Sequence, residues 1–366
     1  MKYFKFELKR ISRNRKNKIL FLIATLLLVA LVVYSASLKS SNTPKSLEGY
    51  LNQSISMTSQ SLKGIKGDKT APKSVISDIE TNLNLLNGQK TALEQKNVNH
   101  YYQIQLEINK LSLKNDQVNV ADIKNENAYI RTVINRHLNF ENYSGAQLHA
   151  FGITHEIFTP LIFSSLFCLV FMLMGGISFA SDFESDSMKL YKTPTFNGKN
   201  IVLTTFITNF FIVGIWYLLA FLLYIISVGL LNGFGALNYP SGINGLLLVE
   251  NWKIDGIYLL WGFLLIAFII ACGIYLSFLL KRSLLVIGSF AIIILGYNMI
   301  ENQGFMQGLR KFLPMAYFDP VELLQKTSYL PAHALIIGLF YLFALSLVFI
   351  GLSIIHFRKL HFRKIK

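Results

Sequence analysis

Residues 19–37 run ILFLIATLLLVALVVYSAS without a single charge. About 20 such residues in helical form cross the hydrocarbon core of a bilayer. Five further stretches match this one: 157–180, 201–231, 256–280, 283–300 and 334–356. None of the six contains Asp, Glu, Lys or Arg. Inside lipid every backbone N–H and C=O needs a partner within its own segment, which an open strand cannot provide. The expected class is an all-α integral membrane protein with six transmembrane helices. The overall composition, 52% hydrophobic and 15% charged, excludes an ordinary soluble domain.

The positive charge follows the apolar stretches. Of the 35 Lys and Arg residues, 18 lie in the two tails and in the two links that share their side, and 4 lie in the short opposite links. The other 13 fall in the long polar segment, whose length exempts it from the positive-inside rule. Both termini are therefore expected in the cytoplasm and 38–155 outside, in a cell membrane, with a bacterial setting. Residues 1–18 carry Phe4, Leu8 and Ile11 at helical spacing among bases, which predicts an amphipathic elbow helix on the membrane surface. A signal peptide ending near Ser35-Ala36-Ser37 is the competing reading.

The segment 38–155 is polar, yet Ile76/Ile79/Leu83/Leu86, Tyr101/Ile104/Ile108/Leu111 and Ile130/Val133/Ile134/Leu138 recur at helical spacing. These stripes predict amphipathic helices in an extracellular helical domain. Gly88 permits a break or hairpin between the first two, and 63–73 reads as a turn-rich linker. No nucleophile–base set or carboxylate pair stands out, so the chain is expected to be no enzyme. Cys168 and Cys272 both sit in apolar stretches, which leaves no cysteine for an external disulfide or a zinc site. Charge-free spans argue against ion-coupled transport. Residues 64–70 and 197–200 lack phosphate-loop spacing, so no cofactor is expected in this chain, and any ATP and Mg would belong to a partner ATPase.

The link at 181–199 is densely ordered. Asp182, Glu184 and Asp186 precede Met188, Leu190 and Tyr191, which offer apolar knobs among lysines; Pro194 and Asn197-Gly198 then turn the chain. A short helix here could seat in a groove of a cytoplasmic partner and pass its motion to the flanking spans. A plain solvated loop is the alternative.

At this point the chain resembles the permease subunits of ABC-2-type transporters. FESDSMKLYKTPTFNGK (183–199) follows their order of acid, leucine, proline and base through Glu184, Leu190, Pro194 and Lys199. It departs from them in lacking the Gly-Thr after the acids and the arginine after the proline. A second similar region is LRKFLPMAYFDPVELLQ (309–325), where the family has short external helices capping the pathway. Pro314, Tyr317, Asp319 and Pro320 would belong to this gate, within extracellular re-entrant or short helices at 301–332. Asp319-Pro320 is in itself a sound helix start, with a cap followed by a proline.

The resemblance implies an ATP-driven exporter of an amphiphilic cargo (a peptide, lipid-like molecule or drug). Two ATPase subunits would dock on 181–199, and a second permease, identical or homologous, would pair in the bilayer. Nucleic acid is not an expected partner. The alternatives are a transmembrane signal or force transmitter moved by a cytoplasmic ATPase without cargo, and a membrane-anchored scaffold.

Overall fold

A computed structural model describes residues 2–13, 15–37, 44–67, 72–114, 119–138, 149–188, 198–243, 247–306, 308–324 and 333–362. The chain divides into two compact units. One comprises 1–34, 154–227 and 255–366; the other comprises 35–153 and 228–254.

The first unit holds most of each membrane-length helix. Five helices among the described residues are long and apolar enough to cross a membrane. They belong to α2 (Arg15–Ser37), α11 (Gly198–Asn232), α12 (Asn251–Leu280), α13 (Ser283–Ile300) and α15 (Ala334–Phe362). At 1.5 Å per residue, the 35 residues of α11 reach about 50 Å, well beyond a hydrocarbon core of about 30 Å. Ahead of α2 lies α1 (Lys2–Arg13).

The expected second span is not one straight helix. A π-helical turn at Thr154–Phe158 leads to α8 (Thr159–Ile162) and then α9 (Ser165–Phe171). A second π turn, Met172–Gly176, precedes α10 (Ser178–Glu184). The two parts of this stretch, Ser165–Gly176 and Ser178–Glu184, are bent by 55°. The bend coincides with a close approach to α12. A Cβ on Gly273 would stand 2.6 Å from the Gly176 Cα and 2.8 Å from its carbonyl oxygen. Ser277 Oγ donates to Gly273 O at 2.7 Å and lies 3.3 Å from Gly176 O, so it reaches the carbonyl that the irregular turn exposes. Two facing glycines and a π turn thus produce the break that hydropathy alone could not foresee.

In the second unit, α3 (Pro44–Gly67), α4 (Lys73–Glu94), α5 (Val98–Ser112) and α6 (Val120–Asn135) form a helical layer. The spacing stripes lie on α4, α5 and α6, and Leu86, Tyr101, Ile130 and Val133 from them share a core with Leu47, Leu51 and Tyr239. Gly88 does not break α4. The missing side chain makes room for Ile104, whose Cδ1 would lie 3.2 Å from a Cβ there. The hairpin falls instead at residues 95–97, where Lys96 takes a left-handed φ of 54° and the Asn97 side chain caps α5 by accepting the His100 N–H at 3.1 Å. Likewise 63–67 belong to α3 rather than to a linker; residues 68–71 lie outside the described ones.

Within this core Gln89, Gln105, Asn109, Glu126 and Asn127 form a hydrogen-bonded ladder across α4, α5 and α6. The short helix α7 (Ala150–Ile153) is held by Ala150 and Phe151 N–H groups donating to Gly233 and Phe234 carbonyls. An antiparallel hairpin of β1 (Pro240–Ile243) and β2 (Leu247–Glu250) is the one departure from all-helical structure among the described residues. Arg136 ties it to α6, donating to Asn238 O at 2.7 Å and pairing with Glu250 at 3.0 Å. Tyr129 and Tyr239 meet through their hydroxyls at 2.9 Å.

Candidate functional site

The residues singled out by sequence gather at two ends of the first unit. At one end α1 packs through Phe4, Glu7 and Ile11 rather than through Phe4, Leu8 and Ile11. Phe4 meets the Phe211 ring edge-on at 6.4 Å, and Ile11 is buried. Leu8 is exposed, as is Phe6. The apolar count of the stripe missed the reason: Glu7 is fully buried because Arg10, one turn on, donates to it at 2.9 Å. The same guanidinium donates through Nη1 to Asp182 on α10.

The three acids of the 181–199 link therefore have three different surroundings. Asp182 is 5% exposed and turned toward Arg10, not outward to a partner. Glu184 is exposed and caps α13, accepting the Ser283 N–H at 2.7 Å and the Ser283 hydroxyl at 2.9 Å. It thereby satisfies an orphan donor and sets a negative charge at the positive end of a helix. Asp186 takes a left-handed φ of 57° and closes α10, as a short polar side chain can. Met188 is half-buried and falls after that turn, so it does not share a continuous helix with the acids. Leu190, Tyr191 and Pro194 lie outside the described residues.

Aromatic rings fix α10 in place. Phe179 packs at a tilt on Phe278 of α12 at 4.7 Å and meets Phe357 of α15 at 6.4 Å, while Phe183 meets Phe278 edge-on at 6.0 Å. The short helix after the second apolar stretch is thus joined to α1, α12, α13 and α15 at once.

At the opposite end, a chain of short turns crosses between α13 and α15. Pro314 opens a 3-10 turn, Pro314–Tyr317, and is half-buried. Tyr317 is buried against Tyr341 at 5.5 Å. Its carbonyl accepts the Trp261 indole N–H at 3.1 Å, and its hydroxyl donates to Lys311 O at 2.8 Å. Gly338 makes the space: a Cβ there would lie 2.6 Å from the Tyr317 ring. Asp319 caps α14 (Pro320–Leu324) by accepting the Val321 N–H at 2.8 Å, with Pro320 in the first turn, as the residue order predicts.

Sequence reasoning overlooked two residues here. Asp255 lies just outside the expected fourth span, 256–280, but α12 begins four residues before it and Asp255 is buried. Arg310 is also buried, donating to the Tyr297 hydroxyl at 3.1 Å and facing Glu301 at 3.8 Å. An acid or base within a few residues of an apolar stretch is the signal that could have flagged both. No group of three His, Cys, Asp or Glu side chains capable of holding a metal occurs among the described residues.

No protein-family model matches the chain, and no curated protein or solved structure matches it.

Proposed function

We propose that this chain is the membrane-spanning permease subunit of an ATP-driven exporter of the ABC-2 type. In this reading the bent stretch from α8 to α10 counts as one span, which makes six. Helix α1 is the elbow at the cytoplasmic surface, both termini are cytoplasmic, and α3–α6 belong to an extracellular domain. Separate ATPase subunits, two of them, supply the energy, and a second permease completes the assembly. The cargo is amphiphilic.

The observation that carries the reading is the junction of Arg10, Asp182 and Glu184. The segment that would meet the ATPase is tied by a charge pair to α1, by a cap to α13 and by aromatic rings to α12 and α15. A push on it moves several helices together, which is the requirement for mechanical coupling. The acids serve as the inner anchor of this lever, and Met188 with Leu190 provides its outer contact.

The deciding experiment is purification of the chain from its native membrane under mild detergent. A nucleotide-binding ATPase that copurifies in equal amount, and whose hydrolysis rate depends on this chain, supports the proposal. Recovery of the chain with no such partner rejects it.

The compact second unit favours one rival, a transmitter that moves this unit without passing cargo. Deletion of 46–140 separates the two. An exporter keeps basal flux, whereas a transmitter loses all response.

A further inference from the structure

The interruption of the second apolar stretch borders a cavity. Helix α8 stops at Ile162, the chain is extended at Ser164 (φ −64°, ψ 156°), and α9 restarts at Ser165. Irregular backbone at membrane depth is tolerated where it is buried in protein or lines a water-filled space. Here it lines a cavity of about 300 Å³ whose other walls come from α13 and from the turns leading to α14.

The walls are chemically sorted. Phe163, Tyr297 and Phe318 contribute rings, and Glu301 and Asp319 contribute carboxylates. Ser165 and Asn298 form part of the polar remainder, the Asn298 amide donating to Ser165 Oγ at 2.7 Å. No lysine or arginine is among the described residues that line it. Arg310 stands behind the wall, held by Tyr297 and Glu301. Glu301, Asp319 and Arg310 together carry a formal charge of about −1 near neutral pH.

We propose that this cavity is a binding site for an organic cation with a short apolar tail, a primary ammonium drawn to the two carboxylates with its carbons against the rings. Aromatic faces attract a desolvated cation, and carboxylates in a partly dry site add to that attraction. The volume is at the small end of ligand sites, enough for an ammonium and a few carbons rather than a folded peptide. Calcium or magnesium fits poorly, because either takes six or more oxygen ligands. The site stands on the cavity alone and does not depend on the export reading. An ammonium of this kind can come from a lipid headgroup or from a free amine.

The test places a single thiol in the wall: Ser165→Cys in a full-length chain carrying Cys168→Ala and Cys272→Ala, held in phosphatidylglycerol nanodiscs. Thiol-specific methanethiosulfonate reagents of similar size, bearing an ammonium, a sulfonate or no charge, report the local potential through their rates. The ratio of cationic to anionic rate should exceed that at an exposed control, Ala121→Cys, by roughly tenfold. Hexylammonium should slow all three reagents, while hexanol and hexanesulfonate should not. Slowing in phosphatidylethanolamine nanodiscs without added amine assigns the headgroup as the source; slowing that needs hexylammonium assigns a free amine. Glu301→Gln should lower the ratio in part. Adding Asp319→Asn, which keeps the helix cap, should bring it to the control value while the neutral reagent keeps its rate. A ratio equal to the control, equal protection by hexanol, or a thiol that no reagent reaches would overturn the proposal.

Discussion

Arg10 illustrates how much one side chain can set. It holds two carboxylates, Glu7 and Asp182, that are both buried. Removing it leaves charge in a site built for a pair, which is costlier than never having had the pair. Arg10→Ala should therefore lower stability by roughly 2–4 kcal/mol, somewhat less than for a fully enclosed pair, since 27% of its side chain remains exposed. A lower unfolding midpoint in detergent checks this, and an apolar triple replacement at 7, 10 and 182 should recover most of the loss. Arg10→Lys should recover little, because an ammonium lacks the fork that reaches both acids. Glu184→Lys should cost about 1 kcal/mol through the lost cap and the like charge at the start of α13. On the proposed function it also uncouples ATP hydrolysis from export while membrane insertion persists, as should Leu190→Asp. Unchanged transport and copurification in both variants would count against a coupling role.

Among the helices, α12 and the π turn at Met172–Gly176 are closest to a limit. Gly273→Ala would press a methyl group into the Gly176 backbone, which has no flexible end to yield. The expected cost is about 1–3 kcal/mol of overpacking, measurable as a lower thermal midpoint. Gly288→Ala on α13, with open space around it, serves as the neutral control. The packing of α5 against α6 should respond to pH through Glu126. Burial raises its pKa, opposed in part by the hydrogen bond from Asn109. The folded carboxyl thus holds its proton to a higher pH than the unfolded one. Its contribution is full below the ordinary carboxylate range and is lost as pH rises through the raised value. Amide exchange of α5 and α6, corrected for intrinsic rates, should show stronger protection on the acid side of that window. Glu126→Gln should abolish the dependence.

For the molecule as a whole, the proposed topology makes a simple prediction. A lone cysteine at Ala121 on α6 should react with an impermeant reagent in intact cells. One at Lys5 on α1 should react only after permeabilisation. The reverse pattern would invert the protein and remove its proposed site from the cytoplasm.

The amino-acid order was enough to reveal the membrane class, the approximate limits of the five long helices, the amphipathic stripes of α4, α5 and α6, and the Asp319 cap. Each of these follows from neighbours along the chain, because a bilayer, a helix face and a cap act on residues within a few turns of one another. The pairings that build the candidate sites do not. Arg10 and Asp182 are 172 positions apart, and Glu184 and Ser283 are 99 apart; in the second unit, likewise, Arg136 reaches Asn238 across 102. Hydropathy ranks Asp182 as one more charge in a polar link, and it treats 232–255 as a mere connector, although 228–254 folds with 35–153. Burial of a charge depends on which distant group arrives to neutralise it, so only the packed chain could say which acids face inward.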